Sequence, residues 1–341
     1  MRVLVTGGCG FIGSWVCEYY AQKKDKVIAY DNMTKHELMR TGYNVSRARD
    51  YNWNYLKNLG VTLVKADVRD QKELFAYAKT CDFIVHTAAQ PAMTISIEEP
   101  ELDFSTNVLG AINVLEAARR FDIPVVSCAT IHIYGNEINR QLSEAKTRYV
   151  RKPIAIDESY PTLTGTITPL HASKASADIY MRTYIDTYKV KAASFRLTGL
   201  YGPRQLGGED HGWVANFCIR AITDLPIVIY GTGKQVRDIL FARDVVRAFD
   251  SFYRHPRPGI YNIGGGKENM ISLLESIELI SKILKKKIKV KFDKERLGDL
   301  KYFVCDIKKA KRQLCWAPAI RPKEGIERLI GWIKANIALF N

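Results

Sequence analysis

No apolar run in the chain approaches the ~20 residues needed to span a membrane, so insertion into a bilayer is not expected. The first residues, Arg2-Val3-Leu4-Val5, lead straight into a strand-like stretch. They carry neither the charged nor the long apolar region of a secretory leader, and export by that route is not expected. Paired cysteines are missing as well. The seven (Cys9, Cys17, Cys81, Cys128, Cys218, Cys305 and Cys315) are odd in number, scattered and free of CxxC spacing. That pattern argues against a disulfide framework and a zinc site. A cytoplasmic location and a metal-free site are therefore expected. The chain has no internal repeat and no flexible linker, so any second lobe should pack directly on the first.

What is present is ordinary globular composition: 341 residues, 47% hydrophobic and 26% charged. This is enough for one large α/β domain with a smaller lobe. The balance is basic, with 51 Lys and Arg against 36 Asp and Glu, a net charge of +15. The lysines are spread, however, and the densest run, Lys285-Lys286-Lys287, sits at the end of an amphipathic helix. It reads as a solvated helix terminus, and a nucleic-acid partner is not expected. A positive field of this kind also draws in small phosphate-bearing ligands.

Short apolar runs alternate with amphipathic segments through the first half. Val3–Thr6, Lys26–Tyr30, Thr62–Lys65, Phe83–His86 and Val125–Ser127 read as buried strands. The segments 12–23, 71–80, 108–120 and 173–188 read as helices. A further strand, Ala192–Leu197, ends at the turn Tyr201-Gly202-Pro203. The pattern predicts βαβ units, hence a doubly wound parallel sheet of Rossmann type with a smaller C-terminal α/β lobe. Residues 1–203 and 236–264 are expected to form the first part. Residues 204–235 and 265–341 are expected to form the second.

Thr6-Gly7-Gly8-Cys9-Gly10-Phe11-Ile12-Gly13 follows the first strand and opens the first helix. Gly7 suits a tight turn, Gly10 a close approach of backbone to a pyrophosphate, and Gly13 close helix–strand packing. Phosphates would lie at the positive helix N-terminus, against Phe11 and Ile12. Asp31, with Asn32 after it, ends the second strand, where an acid accepts hydrogen bonds from ribose hydroxyls and repels a 2′-phosphate. NAD is therefore favoured over NADP, with Lys35 and Arg40 downstream as the cations that could favour the reverse. Asp67-Val68 follows the third strand, placed to meet the adenine edge. His86-Thr87-Ala88-Ala89-Gln90 closes the fourth, its small residues allowing the cofactor to lie close.

With Asn107 opening the next helix, these elements resemble the extended short-chain dehydrogenase/reductase family. Within it they are most similar to the NAD-dependent nucleotide-sugar epimerases of the CDP-tyvelose (CDP-paratose) 2-epimerase type. The likeness covers nearly the whole chain. It is carried by Gln90-Pro91-Ala92-Met93-Thr94, Thr147-Arg148-Tyr149, Asp157-Glu158-Ser159, Gly202-Pro203-Arg204-Gln205, Glu209-Asp210-His211-Gly212-Trp213-Val214 and Gly233-Lys234-Gln235-Val236-Arg237-Asp238. The resemblance implies epimerisation through a transient keto-sugar, with a dehydratase or dehydrogenase as the alternative enzymes. It also implies a homodimer formed through two helices. Arg204, Gln205, Val214, Arg237, Arg296 and Asp299 would meet the nucleotide sugar, the arginines its diphosphate and the acid its ribose.

The same resemblance implies a reacting centre of Ser/Thr, Tyr and Lys. Thr130 matches the first and Lys174 the third, Lys174 also binding the nicotinamide ribose. The tyrosine should stand one helical turn before Lys174, and that position is Leu170. Leucine cannot take a proton. Either His132 or His171 replaces the phenol as a base titrating near neutrality, or the protein binds NAD and a sugar nucleotide without turnover, or the tyrosine was replaced deliberately.

Overall fold

The computed structural model describes residues 1–34, 38–39, 41 and 45–340. Its centre is a seven-stranded sheet of β1 (Arg2–Thr6), β2 (Lys26–Asp31), β3 (Thr62–Lys65), β4 (Phe83–His86), β5 (Val125–Thr130), β6 (Ala192–Leu197) and β7 (Gly259–Ile263). All neighbours are parallel, in the order β3-β2-β1-β4-β5-β6-β7. The chain starts in the middle, winds out to β3, then crosses back to lay β4 beside β1. A crevice opens where the winding reverses, outside the strands' carboxyl ends.

The strands are apolar on both faces because both faces are covered. In β1, Val3 and Val5 share one core with Val16, Cys17 and Tyr20 of α1 (Phe11–Gln22). Leu4 points the other way, into a core with Leu74 of α2 (Gln71–Ala78), Val114 of α3 (Gly110–Phe121) and Met181 of α4 (Pro169–Tyr188). On the α1 side, Phe195 of β6 lies within 5.5 Å of Phe249 on α5 (Ala242–Arg254), ring centre to ring centre. A buried phenylalanine truncated to alanine costs about 3–5 kcal/mol.

The second lobe has its own core. Helices Trp213–Ile222, Leu273–Leu284 and Pro322–Ala335 pack over Ile227 and Ile229 of a strand paired in parallel with Val290–Asp293. Val236–Asp238 runs between Met270–Ser272 and Tyr302–Phe303, so segments on either side of residue 264 share backbone hydrogen bonds.

Three local differences from the sequence reading have physical causes. The helix expected from residue 173 starts at Pro169, because Thr168 and His171 form a capping box and proline suits the first helical position. Lys174 thereby sits in the second turn, on the face of Leu170. The helix expected from Val108 is preceded by a π-turn over Ser105–Leu109. Strand β5 runs on to Thr130 because β6 offers a partner as far as Leu197. Strand β7 lies outside the elements expected from the sequence.

Candidate active site

The crevice at the β1/β4 switch point is an open cleft of about 760 Å³. Gly7, Gly10, Asp31, Asn32, Val68, Ala88, Ala89 and Gln90 line it. The glycines act by shape. Gly7 has φ +68°, and a Cβ there would come within 2.6 Å of Ala88 N. A Cβ on Gly13 would lie 2.0 Å from Gly7 O, so the helix packs on the turn only without one. A Cβ on Gly8 would meet Ala29 Cα at 2.7 Å, a requirement the glycine spacing did not reveal. Gly10 meets only Gly7 O, at 3.1 Å, and caps α1 without a side-chain hydrogen bond. The amides that begin α1 are thus left to an anion.

Asp31 is buried, its carboxylate accepting from Cys9 N at 2.9 Å and Met33 N at 2.8 Å. One donor per oxygen leaves acceptor capacity for two hydroxyls. Lys35 and Arg40 lie outside the described residues. Burial works against ionisation of Asp67, yet Arg69 and Asn32 overcome it and hold the carboxyl down to about 2. Asn32 Nδ2 donates to Asp67 Oδ2 at 2.9 Å and Arg69 forks onto both oxygens. Asp67 therefore anchors the turn with its side chain, whereas Val68 lines the cleft.

Asn107 sits in the π-turn and clamps the loop after β4. Its Oδ1 accepts from Gln90 N at 2.9 Å, and its Nδ2 donates to Gln90 O and to Asp103 Oδ1. Gln90 turns its own amide onto the same Asp103 at 2.9 Å. The Asn107 side chain is spent on the Gln90 backbone and on Asp103, and the Gln90 side chain on Asp103 and Ala92 N, so both shape the loop that lines the cleft. Asp103, buried and held protonation-prone by desolvation, is the hub. A single acid four residues before Asn107 was the only sequence signal for it.

At the far end of the cleft, Thr130 ends β5 and Lys174 rises from α4. Lys174 lines an inner chamber with His86, Asn107, Ser127, Cys128, Asp178 and Ser194. Burial depresses its ammonium, against the pull of Cys128 and Asp103. Leu170 is buried, its amide donating to Ser96 Oγ at 3.2 Å.

The two histidines differ from the expectation of near-neutral bases. His171 Nδ1 accepts from Thr168 N at 3.1 Å to complete the helix cap. That bond leaves its proton on Nε2 and makes the residue structural. His132 lies 5.9 Å from it, ring to ring, and its Nδ1 is buried without a partner. Burial, then Arg237 and His171, push His132 down to about 3, so it is neutral at physiological pH.

The second lobe brings Arg237 to this end. Its buried guanidinium, depressed by desolvation, donates to Val236 O at 2.9 Å and stands 3.9 Å from Asp299 Oδ1. Most of its five donors remain unused. Arg296 is more engaged, donating to Glu209 O at 2.9 Å, lying 3.3 Å from Asp210 and stacking 3.8 Å over Tyr230. Three residues expected at the substrate have partners within the chain. Arg204 is enclosed between Trp15 and Tyr55 and paired with Glu18 at 2.6 Å, locking the 202–205 turn to α1. Val214 packs its side chain into the lobe core. Gln205 is buried, donating to Leu200 O at 3.1 Å and leaving Oε1 without a partner.

Such a cleft, with a glycine-rich turn at one end, an acid after β2 and a second lobe over the strand ends, defines a dinucleotide-binding α/β protein. The chain belongs to the NAD dependent epimerase/dehydratase family, which matches residues 3–264. It is 32% identical to CDP-paratose 2-epimerase of Salmonella typhi, over 97% of this chain and 99% of that one. It is 28% identical to UDP-glucuronate 4-epimerase of Thermodesulfobacterium geofontis, over 98% and 97% of the two. The crystal structure of Thermus thermophilus UDP-glucose 4-epimerase in complex with NAD matches with a TM-score of 0.78 at 30% identity, over 98% of this chain and 99% of that one. No helix among the described residues is long and apolar enough to cross a membrane. No cluster of metal-binding side chains occurs among them.

Proposed function

We propose that the protein interconverts epimers of a nucleotide-diphosphate sugar by transient oxidation to a keto-sugar, in the manner of a CDP-tyvelose (CDP-paratose) 2-epimerase. One observation carries the reading. Arg237, buried and sparsely bonded, comes from the second lobe close enough to depress His132, two residues past Thr130, while Lys174 shares a chamber with the cleft-lining Ala88. Residues 1–203 and 236–264 would serve the cofactor, residues 204–235 and 265–341 the sugar nucleotide.

NAD bound along the cleft would supply a hydride acceptor that later returns the hydride, so net redox is zero. The α1 amides would hold its phosphates, Asp31 its adenosine ribose, Val68 its adenine and Lys174 its nicotinamide ribose. Arg237 would hold the substrate diphosphate and Asp299, 3.9 Å from it, the ribose. Thr130 Oγ1 would hydrogen-bond the sugar hydroxyl to be oxidised. His132 would receive its proton at the unpartnered Nδ1. A bound diphosphate offsets the Arg237 charge, one of the influences depressing that imidazole, so the base strengthens when substrate arrives.

Leu170 favours a second reading, an NAD- and sugar-nucleotide-binding protein without turnover. Incubating NAD-loaded protein with CDP- and UDP-hexoses, following 340 nm absorbance and product NMR, separates the cases. Epimers without accumulated NADH are expected. Accumulated NADH would instead indicate a dehydrogenase, and binding without product the second reading.

A further inference from the structure

One polar bridge crosses the sugar end of the cleft. Thr94 lies on the short helix Met93–Glu98, which follows the cleft-lining loop after β4. Its Oγ1 donates to Asp210 Oδ2 at 2.6 Å, across from the second lobe. Two residues on, Ser96 Oγ accepts from Leu170 N, which fixes this helix beside the turn that carries Lys174. Asp210 is therefore a carboxylate at the reacting end, away from the adenosine end marked by Asp31.

The charges around it are already matched. Arg296 sits 3.3 Å from Asp210, donates to Glu209 O and covers Tyr230 with its face. Glu209 itself is taken by Arg220 at 2.6 Å and by the Tyr230 hydroxyl at 2.7 Å. Arg237, the cation with donors to spare, is the one the diphosphate requires. A partly buried carboxylate with one hydroxyl donor still accepts from sugar hydroxyls, and because it occupies Arg296 it leaves no cation there for a second carboxylate.

Resting on the sugar-nucleotide reading above, we propose that the Thr94–Asp210–Arg296 bridge restricts the substrate to sugars without a carboxylate, Asp210 accepting from their hydroxyls. Uronates, the sugar named in one relative described above, would be excluded.

Calorimetric titration of the NAD-loaded protein with UDP, UDP-glucose and UDP-glucuronate tests this. UDP-glucose should bind at least about tenfold more tightly than UDP-glucuronate, because a carboxylate placed there is partly desolvated without a cation of its own. In Asp210→Asn, which keeps the shape, that ratio should fall to about threefold or less, with UDP affinity unchanged as evidence of an intact nucleotide end. Glucuronate binding as tightly as glucose in the wild type overturns the inference. So does a ratio unmoved by Asp210→Asn. If UDP binds and neither sugar adds affinity or heat, Asp210 does not touch the sugar and the inference also fails. If only CDP binds, the same comparison is made with the CDP-sugars; if neither UDP nor CDP binds, the sugar-nucleotide reading fails with the inference.

Discussion

Leu170 and Lys174 stand one turn apart at the start of α4, and between them lies the chemical question of this protein. His171 bonds the helix cap and His132 has an unpartnered Nδ1, so the proposed reaction assigns the proton to His132. His132→Gln should lower epimerisation by about 10²–10⁴-fold, the usual contribution of a general acid–base group, while sugar-nucleotide affinity changes little. Because the imidazole is held near 3 in the free protein, the acid limb of kcat/KM should fall well below neutrality. An inflection between pH 6 and 7 would count against His132. Leu170→Tyr is expected to add little to an active wild type, and a large gain would show that the missing phenol was the defect. Arg237→Ala should weaken binding of the sugar nucleotide by about 1–3 kcal/mol and leave NAD titrations unchanged.

Among the elements, the glycine turn was legible in the sequence because part of its requirement is steric and local: Gly13 meets Gly7 and Gly8 within the same strand–turn–helix unit, although Gly7 meets Ala88 from the loop after β4. Thr130 and Lys174 were singled out by resemblance to the family's Ser/Thr and Lys, Thr130 also by its place at the end of a strand. The π-turn at Ser105–Leu109 was not. It answers to Asn107 and Asp103 bonding across to the Gln90 loop, contacts that no periodicity encodes. The start of α4 was missed because histidine fills the capping-box place usually held by Glu or Gln. Arg204 was assigned to substrate, yet its partners Ser14 and Glu18 lie 190 and 186 residues away in the chain. His171→Ala should lower thermal stability by about 1 kcal/mol, the scale of a lost cap, read as a drop in unfolding midpoint at neutral pH. A loss of turnover with no loss of stability would instead make His171 catalytic.

For the molecule as a whole, two outcomes are expected. Helix α4 packs on α3, on the π-turn and on the helix Pro100–Phe104, and these elements expose Leu109, Ile179, Tyr180 and Phe104, the last to 60%. An apolar strip of this kind suits a twofold contact, and light scattering at micromolar concentration should give a dimer. Ile179→Glu should give a monomer. The second outcome concerns acid. His86, buried against Thr6 Oγ1 at 2.7 Å, is pushed to about 3, first by desolvation and then by Lys174. The unfolded chain protonates this group near pH 6.5 and the folded chain does not. Stability is therefore complete above about pH 6.5 and is lost as pH falls from there toward 3, by roughly 1.4 kcal/mol per unit. Urea midpoints measured between pH 7 and 5 should fall accordingly, and less steeply in His86→Asn.

Strand β7 joins the sheet only after the chain has left β6, passed through residues 204–238 and come back. During synthesis the β6 edge is the last to be covered, with its backbone donors and acceptors open until some sixty further residues have emerged. A nascent chain stalled near residue 203 would present that edge to any other strand. Fragment 1–203 should accordingly aggregate, whereas in the full chain β7 is the edge, with its Asn262 N bonded to Glu158 and its Ile260 O to Lys309.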